Sequence, residues 1–292
     1  MGSNPQLSTP LMSITIPTRN AASHLGSTIS SIRDACSLPH EIIVADGGSM
    51  DETVAVASRL GVEVIPGQHL LLHARRIMAD AARADIVVLV DADQITGKKS
   101  LDIAYKQIMS GAYDMVALGE RVLNPRTVFA RGSDADKILC GLNFQDHLDP
   151  YRGVILPRVF KRDLLLRALS DIPLEYDDFV VAQDHALIYE AAYRHSNRVF
   201  FLPNSIFHVE PDRLRDVWKK NFRYGMTSRM LTSFESDASL SKSKMHRLGF
   251  RQGSVRLKLW SYVFLLLKAP AWGCGMILGS FQLRFPRYFK IQ

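Results

Sequence analysis

The stretch Ile86-Val87-Val88-Leu89-Val90-Asp91-Ala92-Asp93 decides how this chain is read. Five apolar residues without alternation mark a strand buried on both faces, as in a parallel sheet covered by helices. The run stops at two carboxylates separated by one small residue. In open α/β sheets the carboxyl ends of the strands face the ligand crevice. Two acids there can hold a hard divalent cation. The alternative is a pair of solvated acids at a strand end, so the surroundings must decide.

Outward from that strand, strand and helix patterns alternate. Ser13-Ile14-Thr15-Ile16-Pro17 reads as a strand stopped by proline, and Leu25, Ile29, Ile32 and Cys36 recur at helical spacing. Strands follow at Glu41–Asp46 and Val62–Ile65. Ser49-Met50-Asp51-Glu52 has the form of a capping box. Helices are expected over 70–84 and 100–109, with a strand at 114–118. This rhythm predicts an α/β fold with a mostly parallel sheet flanked by helices. Residues 121–180 lose the rhythm and suit a substrate-shaping section. Order returns with a helix at 184–195, strands at 199–202 and 205–208, and a long helix at 212–231.

The charge is uneven. The chain carries +7 in all, yet Lys242 to Gln292 holds ten Lys and Arg and no Asp or Glu, which leaves about −3 for the rest. Nucleic-acid binding needs basic and aromatic residues on the folded face, so it is not indicated. A basic tail with apolar runs suits an anionic membrane surface. Lys268 and Pro270 split the apolar run Leu257–Phe285 into pieces of roughly 10 and 14 residues, short of the roughly 20 that span a bilayer. Two interfacial helices are therefore expected. The organisation reads as a flexible N-terminus (1–11), a catalytic domain (12–232), a basic linker (233–256) and a membrane-docking tail (257–292). The polar start is no signal peptide. Cys36, Cys140 and Cys274 form neither a disulfide framework nor a zinc pattern, which favours a reducing compartment.

Together, Ser13–Asn20, Glu41–Thr53, Ala74-Arg75 and Val90–Asp93 stand in the order and approximate spacing found in family 2 glycosyltransferases, which the chain resembles over residues 12–230. Gln183-Asp184-His185 and Phe207-His208 are weaker matches. The resemblance implies the GT-A fold and an inverting transfer from a nucleotide-diphosphate sugar, a UDP-sugar first of all. It implies nucleotide-sugar contacts at Pro17, Thr18, Asn20, Asp46, Gly47, Arg75, Asp91 and Ala92. Asp46 would accept a hydrogen bond from the base, and Gly47-Gly48 would let the backbone approach its ring. Arg75 would meet the diphosphate, since a guanidinium suits phosphate oxygens. Its neighbour Arg76 stands where the family often has Asn. Asp91, Asp93 and His208 would hold Mn2+ or Mg2+, with Asp93 the more direct ligand. Asp184 matches the general base, although the family usually has Glu-Asp where this chain has Gln183-Asp184; the alternative is a helix N-cap. Arg152, Arg158 and Lys161 read either as a solvated basic loop or as a grip on an acceptor phosphate. Arg223, Tyr224 and Arg229 resemble a segment near the donor diphosphate.

These expectations describe an enzyme at the cytoplasmic face of the cell membrane, peripherally bound through its tail. Its acceptor would be a hydroxyl of a lipid-linked or cell-surface glycan. A polyprenyl-phosphate glycosyltransferase and a non-catalytic membrane scaffold are the alternatives. A dinucleotide-binding dehydrogenase is disfavoured, because Pro17-Thr18-Arg19-Asn20 stands where a G-x-G-x-x-G turn would follow the first strand.

Overall fold

The computed structural model describes residues 9–150, 155–211, 213–234 and 251–284. Most of the expected flexible N-terminus, most of the basic linker, Arg152 and the last eight residues of the tail lie outside them. One eight-stranded sheet runs in the order β3-β2-β1-β4-β7-β6-β8-β5. Its strands are β1 (Met12–Thr18), β2 (His40–Asp46), β3 (Glu63–Pro66), β4 (Ile86–Leu89), β5 (Gln94–Thr96), β6 (Met115–Val122), β7 (Pro157–Lys161) and β8 (Val199–His208).

β1 pairs in parallel with both β2 and β4. The chain thus leaves β1 in one direction and later returns on its other side, and such a reversal opens a crevice at the carboxyl ends of the two strands. Thr18 ends β1 and Asp91 follows β4, so Pro17–Asn20 and Asp91–Asp93 meet there. The β4 run is apolar because both its faces are buried. Ile86, Val88 and Val90 join Met12, Ile14, Leu25, Ile29 and Leu101 in one core. Val87 and Leu89 join Leu72, Met78, Leu164 and Ile188 in the other.

The sheet is mixed beyond β4. β7 lies antiparallel between β4 and β6. It falls within the residues expected to be irregular, since its five residues, Pro157-Arg158-Val159-Phe160-Lys161, carry two charges. β8 is a single strand where two were expected, with a register shift opposite Leu118/Glu120. It also pairs antiparallel with β5, so Gln94 lies opposite His208.

Nine α-helices pack around the sheet among the described residues: α1 (Ala22–Ala35), α2 (Thr53–Arg59), α3 (Leu71–Ala81), α4 (Ser100–Met109), α5 (Val128–Phe144), α6 (Arg162–Asp171), α7 (Asp184–His195), α8 (Leu214–Phe234) and α9 (Val255–Arg284). α5 also rises from the stretch read as irregular. Its buried face includes Ser133, Asp134 and Asp136, which mask the apolar periodicity. The capping box does not form as written. Asp51 takes the amide of Thr53, while Ser49 turns back to Asp46.

The tail departs most from expectation. α9 is one helix that runs through Lys268 and Pro270 and lies against α8 and α5. Contact with neighbouring helices over its length offsets the single backbone bond that proline removes. Ala271, Gly275 and Gly279 recur every four residues and face α8. A Cβ at Gly275 would run into the Phe222 carbonyl, and Gly225 of α8 meets the Trp272 carbonyl in the same way. Small residues thus let the two backbones touch, as in helix pairs within membranes. Trp218 Nε1 donates to the Leu267 carbonyl at 2.9 Å, and Ser261 Oγ to Asp136 Oδ1 at 2.9 Å. Gly275→Ala is therefore expected to destabilise the fold by about 1–3 kcal/mol through overpacking. Gly273→Ala, with open space at its Cβ, should stabilise it by about 0.5–1 kcal/mol through helix propensity. Thermal melts of the two variants should shift in opposite directions.

Candidate active site

A cavity of about 1230 Å³ opens at the β1/β4 crevice and continues beneath α5, α8 and α9. At one end it is walled by Pro17, Thr18, Asn20, His24 and His69, and at the other by Phe264, Lys268 and Trp272. Asp91, Ala92, Asp93, Asp184 and His208 line its middle. Eight of the residues expected to form the site therefore share one cavity, although the chain separates them by up to 191 positions.

Asp46, Gly47 and Arg75 stand behind the wall. Asp46 is buried, and four internal donors saturate its carboxylate: the amides of Gly48 and Ser49, and the hydroxyls of Ser49 and Thr18. A carboxylate accepts about four hydrogen bonds, so Asp46 caps the turn after β2 rather than reading a base. Gly47 is required for packing, because a Cβ would stand 2.7 Å from the His69 carbonyl.

Arg75 is fully buried and meets no open space. Its Nε donates to Asp184 Oδ2 at 2.8 Å, and its Nη1 to the Val90 carbonyl at 3.2 Å. Its Nη2 is bonded to Asp91 Oδ1. The expected diphosphate contact is corrected: α3 turns Arg75 inward, where it ties the end of β4 to the start of α7. Arg76 is structural too, holding Asp177 and the carbonyls of Leu169 and Ile172.

Asp184 is the first residue of α7, where a carboxylate is favoured by the helix dipole. Gln183 before it adopts φ 67° and turns the chain into the helix. The Gln183 amide donates to the Tyr224 carbonyl at 2.9 Å and to Ser228 Oγ at 2.5 Å. A carboxylate there could not donate to a carbonyl, which explains the amide at this position. Asp184 Oδ1 has no hydrogen-bond partner among the described residues, so one oxygen is fixed and the other is not.

Asp91 belongs to this ionic frame rather than to a set of metal ligands. Arg75, Arg158 (3.1 Å) and Gln94 (2.6 Å) take its two oxygens. Burial opposes its charge, yet His185, Arg158 and Arg75 hold its carboxyl well below the usual range. His185 is itself pushed toward the neutral form by burial and by Arg158, so the guanidiniums carry this field. Arg75 and Arg158 both donate to His185 Nε2, at 2.9 and 2.8 Å, which makes Nε2 the acceptor nitrogen.

Among the described residues no three His, Cys, Asp or Glu side chains converge as a metal site. The expected trio is thereby corrected: Asp91 is taken by arginines. Asp93 and His208 both line the cavity, and their backbones run close together, with the Val209 amide donating to the Asp93 carbonyl at 3.0 Å. The Nδ1 of His208 is buried with no hydrogen-bond partner among the described residues. One carboxylate, one imidazole and the oxygens of a bound diphosphate make a chemically suitable donor set for Mn2+ or Mg2+.

Sequence reasoning missed several residues of the site. Arg158, expected either in a solvated basic loop or on an acceptor phosphate, is buried on β7, with Nη2 donating to Glu120 Oε1 at 2.6 Å. Burial works against its charge, but Glu120 and Asp91 raise its pKa above the ordinary arginine value. Glu120, Lys137, Lys220 and Glu210 extend the frame beneath α8. Glu120 follows the apolar run Met115–Leu118 as Asp91 follows Ile86–Val90, although β6 continues two residues beyond it. Arg223 and Tyr224 line the cavity, whereas Arg229 turns away and donates to Ser280 on α9. Lys161 points to Asp114 on the far side.

An open α/β sheet with acids at its crevice and a carboxylate opening α7 is the architecture of a GT-A glycosyltransferase. Residues 13–139 of the chain, a little under half of it, match the family described as Glycosyl transferase family 2. Its fold is shared by TarS from S. aureus, at 14% identity over 96% of this chain and 93% of that one, with a TM-score of 0.54. A mannosyltransferase from Pyrobaculum calidifontis, solved with GDP-Man and Mn2+, aligns at 17% identity, 97% and 90% coverage and a TM-score of 0.60. Glucosyl-3-phosphoglycerate synthase from Mycobacterium tuberculosis, solved with Mg2+ and UDP, aligns at 19% identity, 84% and 81% coverage and 0.52. At such identities the likeness concerns fold. No curated protein matches the sequence.

The frame predicts a pH dependence. Burial opposes the charge of Glu210, but Lys220 and Lys137 lower its pKa from 4.5 to about 2. A carboxyl lowered on folding adds stability that is complete above its unfolded pKa and is lost as pH falls toward the folded one. Stability should therefore fall between pH 4.5 and 2. Glu210→Gln should flatten that limb in urea melts taken as a function of pH.

Proposed function

We propose that this glycosyltransferase works by inversion on a nucleotide-diphosphate sugar, with Asp184 as general base. The observation that carries the reading is the state of Asp184: it lines the cavity, Arg75 fixes one of its oxygens, and the other has no hydrogen-bond partner among the described residues. The donor base lies at the end walled by Pro17, Thr18 and Asn20, and its diphosphate crosses Ala92 and Asp93. Asp184 takes the proton of an acceptor hydroxyl as that oxygen attacks the anomeric carbon opposite the departing nucleoside diphosphate. No covalent sugar-enzyme intermediate forms. Asp93 and His208 would hold Mn2+ or Mg2+, and such an ion would offset charge on the leaving diphosphate. Related folds solved with UDP-GlcNAc, with UDP and Mg2+, and with GDP-Man and Mn2+ support a nucleotide-sugar donor and a divalent ion. UDP is the first donor base to test.

The acceptor is a lipid-linked or cell-surface glycan, met at the cytoplasmic face of the cell membrane. α9 supports this. Val255–Phe281 is long and apolar enough to cross a membrane, yet it lies along the catalytic domain with 17% of its most apolar window buried. Leu259, Leu266, Ile277 and Phe281 face outward, 50–73% exposed, while Phe264, Lys268 and Trp272 line the cavity. One helix thus presents one face to an interface and another to the acceptor end of the site. A polyprenyl phosphate as acceptor is the second reading, favoured by Lys220 and Lys268 in the cavity wall.

Nucleoside diphosphate release from a panel of nucleotide sugars with Mn2+ tests the chemistry. Asp93→Ala should abolish metal-dependent turnover, and Asp184→Asn should lower kcat by about 10²–10⁴-fold. Full activity in Asp184→Asn would remove the base and favour a phosphate nucleophile.

Co-sedimentation with anionic vesicles tests the docking. The double variant Leu266→Asp/Ile277→Asp, altered only at exposed positions, should bind at least about tenfold more weakly. Equal binding would refute docking through α9.

A further inference from the structure

Lys268 is the one charged residue between Lys258 and Arg284 on α9. A charge in the middle of an apolar helix is costly to turn toward lipid, and where one occurs it faces a polar path or a ligand. The side chain of Lys268 is 15% exposed and lines the cavity, while Leu259, Leu266 and Ile277 face outward. α9 is fixed at this turn from two sides. On the α5 side a Cβ at Gly132 would stand 2.5 Å from Phe264 Cβ, and Ser261 bonds Asp136. On the α8 side Trp218 holds the Leu267 carbonyl, and Gly225 meets the Trp272 carbonyl. Rotating the helix to release Lys268 to solvent would break all four contacts.

The charged residues that α5, α8 and α9 contribute to the cavity wall are Asp136, Lys137, Lys220, Arg223 and Lys268. Glu120 and Glu210 engage Lys137 and Lys220. Asp136 Oδ2 stands 4.0 Å from Lys268 Nζ, longer than a hydrogen bond, and its Oδ1 accepts from Ser261. A positive charge is thus in excess on this wall. The Lys268 ammonium lies 4.4 Å from the centre of the Phe264 ring. Leu142, Val217, Leu265 and Trp272 add apolar wall from the same three helices. A cation set in an apolar wall suits an anion attached to an apolar chain. We propose that Lys268 binds a phosphate that joins the acceptor's glycan to an apolar chain. The acceptor is then a lipid phosphate or diphosphate carrying sugar, not a free glycan. The phosphate is the handle and not the nucleophile, and the reacting hydroxyl lies toward Asp184. The assignment rests on the reading of this end of the cavity as the acceptor's.

The test is calorimetric titration of the full-length protein with decyl phosphate below its micelle concentration, with decyl glucoside and inorganic phosphate as controls. The unaltered protein should bind decyl phosphate more tightly than either control. Lys268→Met keeps the length of the side chain and removes its charge. It should weaken decyl phosphate binding by about 10–100-fold, the loss of one charge-assisted contact, and leave decyl glucoside binding as it was. Lys268→Arg should retain most of the affinity. If circular dichroism shows that Lys268→Met does not fold, Lys268→Gln carries the comparison. Equal affinity for decyl phosphate with and without the Lys268 charge overturns the proposal. Inorganic phosphate bound as tightly as decyl phosphate overturns the lipid source and leaves a site for a free anion. Saturating UDP should not displace decyl phosphate from the unaltered protein. Displacement would put the anion in the donor's place and overturn the reading of this end as the acceptor's. Absence of UDP binding would count against the nucleotide-sugar reading, on which the comparison of Lys268 with its variants does not depend.

Discussion

The fully buried guanidinium of Arg75 is the contact on which the site depends. It joins three chain segments that have no other reason to meet at one point: α3, the end of β4 and the start of α7. Burying such a charge is costly unless it is paired and hydrogen-bonded. Here Asp184, Asp91 and a backbone carbonyl supply the pairing. The cost of separating these partners is what holds Asp184 at the cavity wall. Arg158 repeats the arrangement one strand further, between Asp91 and Glu120. The result is a line of alternating charges, Asp184, Arg75, Asp91, Arg158 and Glu120, that runs from the carboxyl end of β4 across the amino end of β7 to β6.

This line changes what the acids after β4 do. Asp91 and Asp93 look equivalent in sequence, but they divide the work. Asp91 is an interior counter-ion, and Asp93 lines the cavity beside His208, with Lys220 close enough to feel its charge. The β5–β8 pairing sets that neighbourhood, and the turn Asp91–Gln94 produces the division. The Gln94 side chain reaches back to both the amide and the carboxylate of Asp91, which turns Asp91 inward.

The C-terminal helix is packed into the body of the molecule against α8 and α5. A basic apolar tail suggests an appendage, yet α9 is part of the cavity wall. Glycines on both α8 and α9 allow backbone contact that larger side chains would prevent. Loss of α9 would open the cavity as well as remove an apolar face. One wall of the cavity and the exposed apolar face are therefore properties of the same helix.

Much of the fold was legible from residue order. The run Ile86–Val90, the acids after it and the helical spacing of Leu25, Ile29 and Ile32 reflect local burial on the two faces of a sheet, a period that sequence records directly. The helix at Asp184–His195 and the cavity positions of Pro17, Thr18, Asn20, Asp93, Asp184 and His208 followed from strand and helix ends. β7 and α5 did not, because each buries polar side chains whose partners are distant in sequence. Arg158 looks like a loop residue until Asp91 and Glu120 stand beside it, and Arg75 looks like a phosphate ligand until two carboxylates close around it. Sequence alone thus determined where the chain turns and which ends carry acids, because periodicity and turn chemistry are local. Which acids face substrate and which face arginine was decided only by tertiary structure, because the pairing of buried charges depends on segments about a hundred residues apart.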